Sequence, residues 1–199
     1  MSYPRMIRIK QHFNTPGISD VPSAVRDEIT RINLSQQIKP GDSVAITAGS
    51  RGIANIALII KMLVEELKKY GACPFIVPAM GSHGGGTAQG QQAIIEGYGI
   101  TEEYVGAPIK ASMEVVQVGT IEDGVPVFFD KYAYQADHVV VVNRVKPHTG
   151  FVGDIESGLH KMILIGLGKH HGACIYHQVI VHYSFDHIIN NLQQIMGIQ

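Results

Sequence analysis

The order of strand-like and helix-like segments predicts a three-layer α/β domain, a mostly parallel sheet flanked by helices. Three observations predict it. Short apolar runs at Ser43–Thr47, Cys73–Ala79 and His138–Asn143 have the length and composition of buried strands. The stretch Ile53–Tyr70 between the first two places Ile56, Ile59, Ile60, Leu63, Val64 and Leu67 on one helical face, as a crossover helix requires. Glycine-rich connections follow these strands, and open α/β sheets bind ligands at the carboxyl ends of their strands.

The elements follow in order. Met6–His12 reads as a short strand. Val21–Arg31 has helical periodicity, with Asp20 as its N-cap. Pro40-Gly41-Asp42 is a turn into the first core strand. Gly71 ends the long helix, and a shorter helix, Thr87–Tyr98, stops at Gly99. Met113–Gly119 and Val125–Phe129 form a strand pair around Asp123-Gly124. The four valines of Val139–Val142 predict a central strand buried on both faces. Ser157–Gly166 reads as helical, and Asp186–Met196 as a closing helix. No internal repeat or low-complexity linker interrupts the 199 residues, so the whole chain, 1–199, reads as one domain.

Composition narrows the function. With 45% apolar and 17% charged residues the chain is globular, and a net charge of −1 leaves no basic stripe for nucleic acid. No apolar run reaches membrane-spanning length. The two cysteines, Cys73 and Cys174, lack the spacing of a disulfide framework or a cysteine metal site. These features predict a cytoplasmic protein with neither a nucleic-acid nor a membrane partner. The unusual counts are 22 Gly and 10 His, and the two residue types cluster in loops. Glycine admits backbone conformations that other residues forbid, and histidine titrates near neutrality.

Five segments carry candidate chemistry. Ala48-Gly49-Ser50-Arg51-Gly52 leads into the long helix and reads either as an anion site at Arg51 or as a tight turn with a solvated Arg. In Gly81-Ser82-His83-Gly84-Gly85-Gly86-Thr87, glycines including Gly81 and Gly84 flank His83 at a strand end and are expected to let a ligand approach the backbone. It is not a phosphate-binding loop of the Gly-Lys-Ser/Thr type. Asn143-Arg144-Val145-Lys146-Pro147-His148-Thr149-Gly150 presents His148 in a stiffened, cationic loop suited to an acidic substrate. Lys161 lies among small and apolar residues, where an amine is desolvated and made nucleophilic. His170 and His171 read as cap or surface residues. His177, His182 and His187 are spaced by five, which does not preform a site on one helical face, although one of them could ligate a metal that a cofactor also holds.

Taken together, Ser50-Arg51-Gly52, Gly81-Ser82-His83-Gly84, Lys146-Pro147-His148-Thr149-Gly150 and the glycine-rich run into Lys161 resemble the N-terminal domain of the nickel-dependent lactate racemase family. The resemblance spans about residues 40 to 180. It implies a nickel-pincer nucleotide, a nicotinate-derived mononucleotide holding nickel through a carbon and two sulfurs. By the same resemblance Arg51 holds its phosphate, with Gly81 and Gly84 in the cofactor site. Lys161 bears the covalent attachment, His177 is the protein ligand to nickel, and His83 and His148 are paired bases. The chain departs from the family pattern at Ala48, where an Asp is usual, and in a longer segment between His148 and Lys161. The family's second domain is not evident, so the chain is expected to be a fragment.

The implied activity is racemisation or epimerisation of a small 2-hydroxy acid, with cofactor-making enzymes as partners. Such a reaction needs a hydride acceptor, which side chains do not supply, and a base on each face of the substrate carbon. Two alternatives stand beside it: a cofactor- or anion-binding module without catalysis of its own, and a zinc hydrolase using some of the histidines.

Overall fold

The computed structural model describes residues 6–12, 17–121, 124–146, 157–180, 182 and 188. His148, His187 and the closing helix expected over Asp186–Met196 (Ile188 apart) lie outside the described residues.

Helix α1, Val21–Arg31, begins where Asp20 accepts a hydrogen bond from Ser23 N at 2.9 Å. A one-turn α2, Leu34–Gln37, leads to strand β1, Ser43–Ala48. Helix α3, Ile56–Lys69, crosses to β2, Cys73–Pro78, which pairs parallel to β1 from Ser43–Cys73 to Ala48–Pro78. Gly71 lets the chain turn back from α3 at a φ of +81°. Then come α4, Ala88–Gly97, N-capped by Thr87, and the short α5, Glu102–Val105. An antiparallel pair follows, β3, Val115–Thr120, with β4, Pro126–Asp130. Helix α6, Lys131–Gln135, is N-capped by Asp130 and returns the chain to β5, His138–Val140, parallel to β1.

The main sheet has the order β2-β1-β5, and its two faces bury different residues. Val44, Ile46 and Ala48 of β1 join Ile60, Val64 and Leu67 of α3 and Ile95 of α4 in one core. Ala45, Phe75 and Val77 face the other way, onto Val127 and Phe129 of β4, Leu164, Leu167 and Tyr176. The α/β class, with a parallel sheet between flanking layers, is therefore the observed one.

Three expectations need correction. Among the described residues the Val139–Val142 run is not central: β5 is an edge strand and β1 lies in the middle. The valines still alternate, with Val140 and Val142 against one core and Val139 and Val141 against the other. That explains an apolar run read as buried on both faces, yet its edge position leaves each valine only half buried. Met6–His12 forms no strand and is exposed throughout. Helix α8, Lys169–Val179, was not anticipated, because Gly172 and two histidines near its start mask its buried face of Gly172, Ala173 and Tyr176.

Between β5 and α8 the chain forms α7, Leu159–Lys161, which widens into a π-helical turn over Met162–Gly166. This agrees in position with the helix expected over Ser157–Gly166. π-turns interrupt regular helices most often at functional sites. Among the described residues no helix is long and apolar enough to cross a membrane.

Candidate functional site

The carboxyl ends of β1, β2 and β5 open into a cleft of about 600 Å³, a volume typical of small-molecule sites. Five segments supply its polar groups. The loop after β1 brings Ser50 and Arg51, the loop after β2 brings Ser82 and His83, and the segment after β5 brings Asn143, Arg144 and Lys146. Lys161, at the end of α7, and His177, on the last turn of α8, complete it. Arg51, Arg144, Lys146 and Lys161 all line the cleft, and no carboxylate does among the described residues. Such a field selects an anionic ligand.

The charges act on each other. Burial, with Lys146 and Arg51 nearby, lowers the Lys161 ammonium from its usual 10.5 to about 8. This is the desolvated amine expected from its small and apolar neighbours. His83 is also pushed below its ordinary value, first by burial and then by Arg51, Lys161 and His177. Its imidazole is therefore the neutral, proton-accepting form at neutral pH.

The His83 loop is fixed from both sides. Gln91, fully buried in α4, donates to Gly81 O at 2.7 Å and to His83 O at 3.2 Å. Ser50 Oγ lies 2.5 Å from His83 Nδ1, and the Tyr98 hydroxyl donates to Ser50 O at 2.7 Å. Across the cleft, Lys146 N donates to Ser157 Oγ at 2.8 Å, and Asn143 Nδ2 donates to Gly158 O at 2.8 Å.

The structure thus gathers Arg51, His83, Lys161 and His177 in one cleft, whereas His148 lies outside the described residues. Gly81 and Gly84, expected to let a ligand approach the backbone, are not among the residues that line the cleft. Gly81 is buried, and a Cβ on it would lie 3.1 Å from Ile165 Cγ2. A Cβ on Gly84, at a φ of +66°, would meet Gly90 C at 2.6 Å. Their freedom serves the packing of the loop onto the π-turn and α4. His182, exposed beyond α8, is not among the cleft residues, and His170 and His171 are exposed, as a surface role requires.

Sequence reasoning missed three residues. Ser50 was part of a motif without a role for its side chain, and Gln91 and Tyr98 were unremarked helix positions. The contact of Ser50 with His83 spans 33 positions and that of Tyr98 with Ser50 spans 48, so no local pattern signals either. Lys169, at the start of α8, is fully buried and ion-paired to Asp130 at 3.1 Å, with a further hydrogen bond to Pro78 O.

Among the described residues no three His, Cys, Asp or Glu side chains converge as a ready metal site. A catalytic zinc site takes three protein ligands, so the described residues give a zinc hydrolase no support.

No curated protein matches the chain. The family model described as the lactate racemase N-terminal domain matches residues 7–186, and the chain belongs to that family.

Proposed function

We propose that the chain provides the cofactor-holding and proton-transferring site of a racemase or epimerase acting on a small 2-hydroxy acid through a nickel-pincer nucleotide. One observation carries the reading: a single cationic cleft holds Arg51, His83, Lys161 and His177, drawn from four separate segments.

The residues fit such a group chemically. Arg51 is a guanidinium at the mouth of a strand–helix loop, suited to a phosphate. Lys161, with its amine near a pKa of 8, is reactive at neutral pH and would form the covalent link. His177 offers an imidazole, a donor suited to nickel, and a cofactor with donors of its own leaves only one protein ligand to find. When bound, the group supplies an acceptor for hydride, which the side chains lack.

The chain's own residues would do the rest. Arg144 and Lys146 would attract the substrate carboxylate. His83 would take the hydroxyl proton as the Cα–H bond breaks, because its imidazole is held neutral. His148, two residues beyond the cleft-lining Lys146, would serve the opposite face. The histidine holding the hydroxyl proton would return it to the carbonyl oxygen of the 2-keto acid, so that the two histidines would exchange proton donor and acceptor roles between the two faces.

The test is deuterium incorporation at Cα over a panel of 2-hydroxy acids, using protein co-produced with cofactor-making enzymes. Exchange that is lost in both His83→Ala and His148→Ala is expected. Exchange undiminished in both variants overturns the two-base reading. A loaded protein that exchanges none of the acids supports a cofactor-carrying module instead.

A further inference from the structure

A neutral imidazole carries one N–H, and the partner of one ring nitrogen decides which nitrogen is bare. For His83 that partner is Ser50, whose Oγ lies 2.5 Å from Nδ1. Both sides of the contact are held. The Tyr98 hydroxyl pins the Ser50 carbonyl at 2.7 Å, and Gln91 pins the His83 carbonyl at 3.2 Å. His83 N in turn donates to Met80 O at 3.2 Å. The contact is thus built into the junction of the β1 and β2 loops with α4.

We propose that Ser50 is a positioning residue for His83: its hydroxyl oxygen accepts the Nδ1–H and keeps the imidazole in the tautomer whose bare Nε2 faces the cleft. The proposal rests on the reading of His83 as a base. It is supported by the surrounding charges, since Arg51 and Lys161 are the cationic side chains that act on the ring. A lone pair directed at cations is favoured, and an N–H directed at them is not. The opposite tautomer would leave Nδ1 bare, make Ser50 the donor, and turn the pair into a serine nucleophile with its base. The two arrangements therefore predict different protonated nitrogens on the same ring.

The tautomer is read directly by two-bond ¹H–¹⁵N NMR on protein labelled with ¹⁵N-histidine, without cofactor or substrate, at a pH where His83 is neutral. His83→Gln assigns the signal. The wild-type protein is expected to show the proton on Nδ1. Ser50→Ala is expected to lose that preference and populate the Nε2–H form, and Ser50→Thr, which keeps the hydroxyl, restores it. A wild-type spectrum with the proton on Nε2 overturns the proposal, whatever the folding of the variants. So does a folded Ser50→Ala protein with an unchanged tautomer. Because the readout needs no turnover, a locked Nδ1–H tautomer in a protein that racemises nothing would sustain the role of Ser50 while the racemase reading fell.

Discussion

Lys161 offers the most quantitative test of the cleft. An amine with a pKa of about 8 is uncharged in about a quarter of molecules at pH 7.5, against about one in a thousand at the ordinary 10.5. The reactive fraction is therefore raised on the order of 200-fold. Burial is the largest cause, followed by Lys146 and then Arg51, so removing one cation moves the pKa only part of the way back. The perturbation is Lys146→Met. The assay is the rate of acylation at Lys161 by a small amine-directed reagent, mapped by peptide mass and followed from pH 6 to 11. In the wild-type protein the rate should reach half its maximum near pH 8, and in Lys146→Met at a higher pH. The linkage has a definite sign. The unfolded chain holds this proton up to about 10.5 and the folded chain releases it near 8, so stability rises with pH across that window. Lys161→Met should accordingly raise the melting temperature at pH 7. A wild-type midpoint near 10.5 would refute the desolvated, cation-flanked amine.

Three other predictions concern the frame around it. Lys169→Met leaves Asp130 buried without its ion pair and should cost about 3–5 kcal/mol in urea unfolding. Adding Asp130→Asn should return part of that loss. His83 should titrate below 6.5 by NMR, and Arg51→Met should move it upward. The unfolded chain then takes up this proton first as pH falls, so His83 weakens the fold on acidification. Gly84→Ala should destabilise by more than about 1 kcal/mol by thermal unfolding, because it forces a positive φ and places a methyl against the Gly90 backbone.

The legible parts of the sequence were those with local causes. Asp20 caps α1 through a contact three residues away, Gly71 ends α3, and the apolar face of α3 repeats at helical spacing. The loops carrying Arg51, His83 and Lys161 were visible because glycine and charge gathered after apolar runs, and the structure places all three in one cleft. The position of β5 was not legible, since an edge strand packed by alternate valines on two cores looks like a central one. Helix α8 was obscured because its buried side is made of Gly172, Ala173 and Tyr176 and of Lys169, whose burial depends on Asp130, 39 positions earlier in the chain. The glycines beside His83 were read as openings for a ligand, whereas Gly81 and Gly84 fill tight contacts with partners that only the fold brings close.

On the proposed reading, Lys161, Arg51 and His177 hold a nickel-bearing nucleotide in the cleft that presents His83. The most direct measurement is intact mass with metal content on protein co-produced with cofactor-making enzymes, followed by peptide mapping. A covalent mass increase mapped to Lys161 with about one nickel per chain is expected, both lost in Lys161→Ala, and nickel lost with the mass increase retained in His177→Ala. An unmodified mass without nickel, or zinc alone, would contradict it.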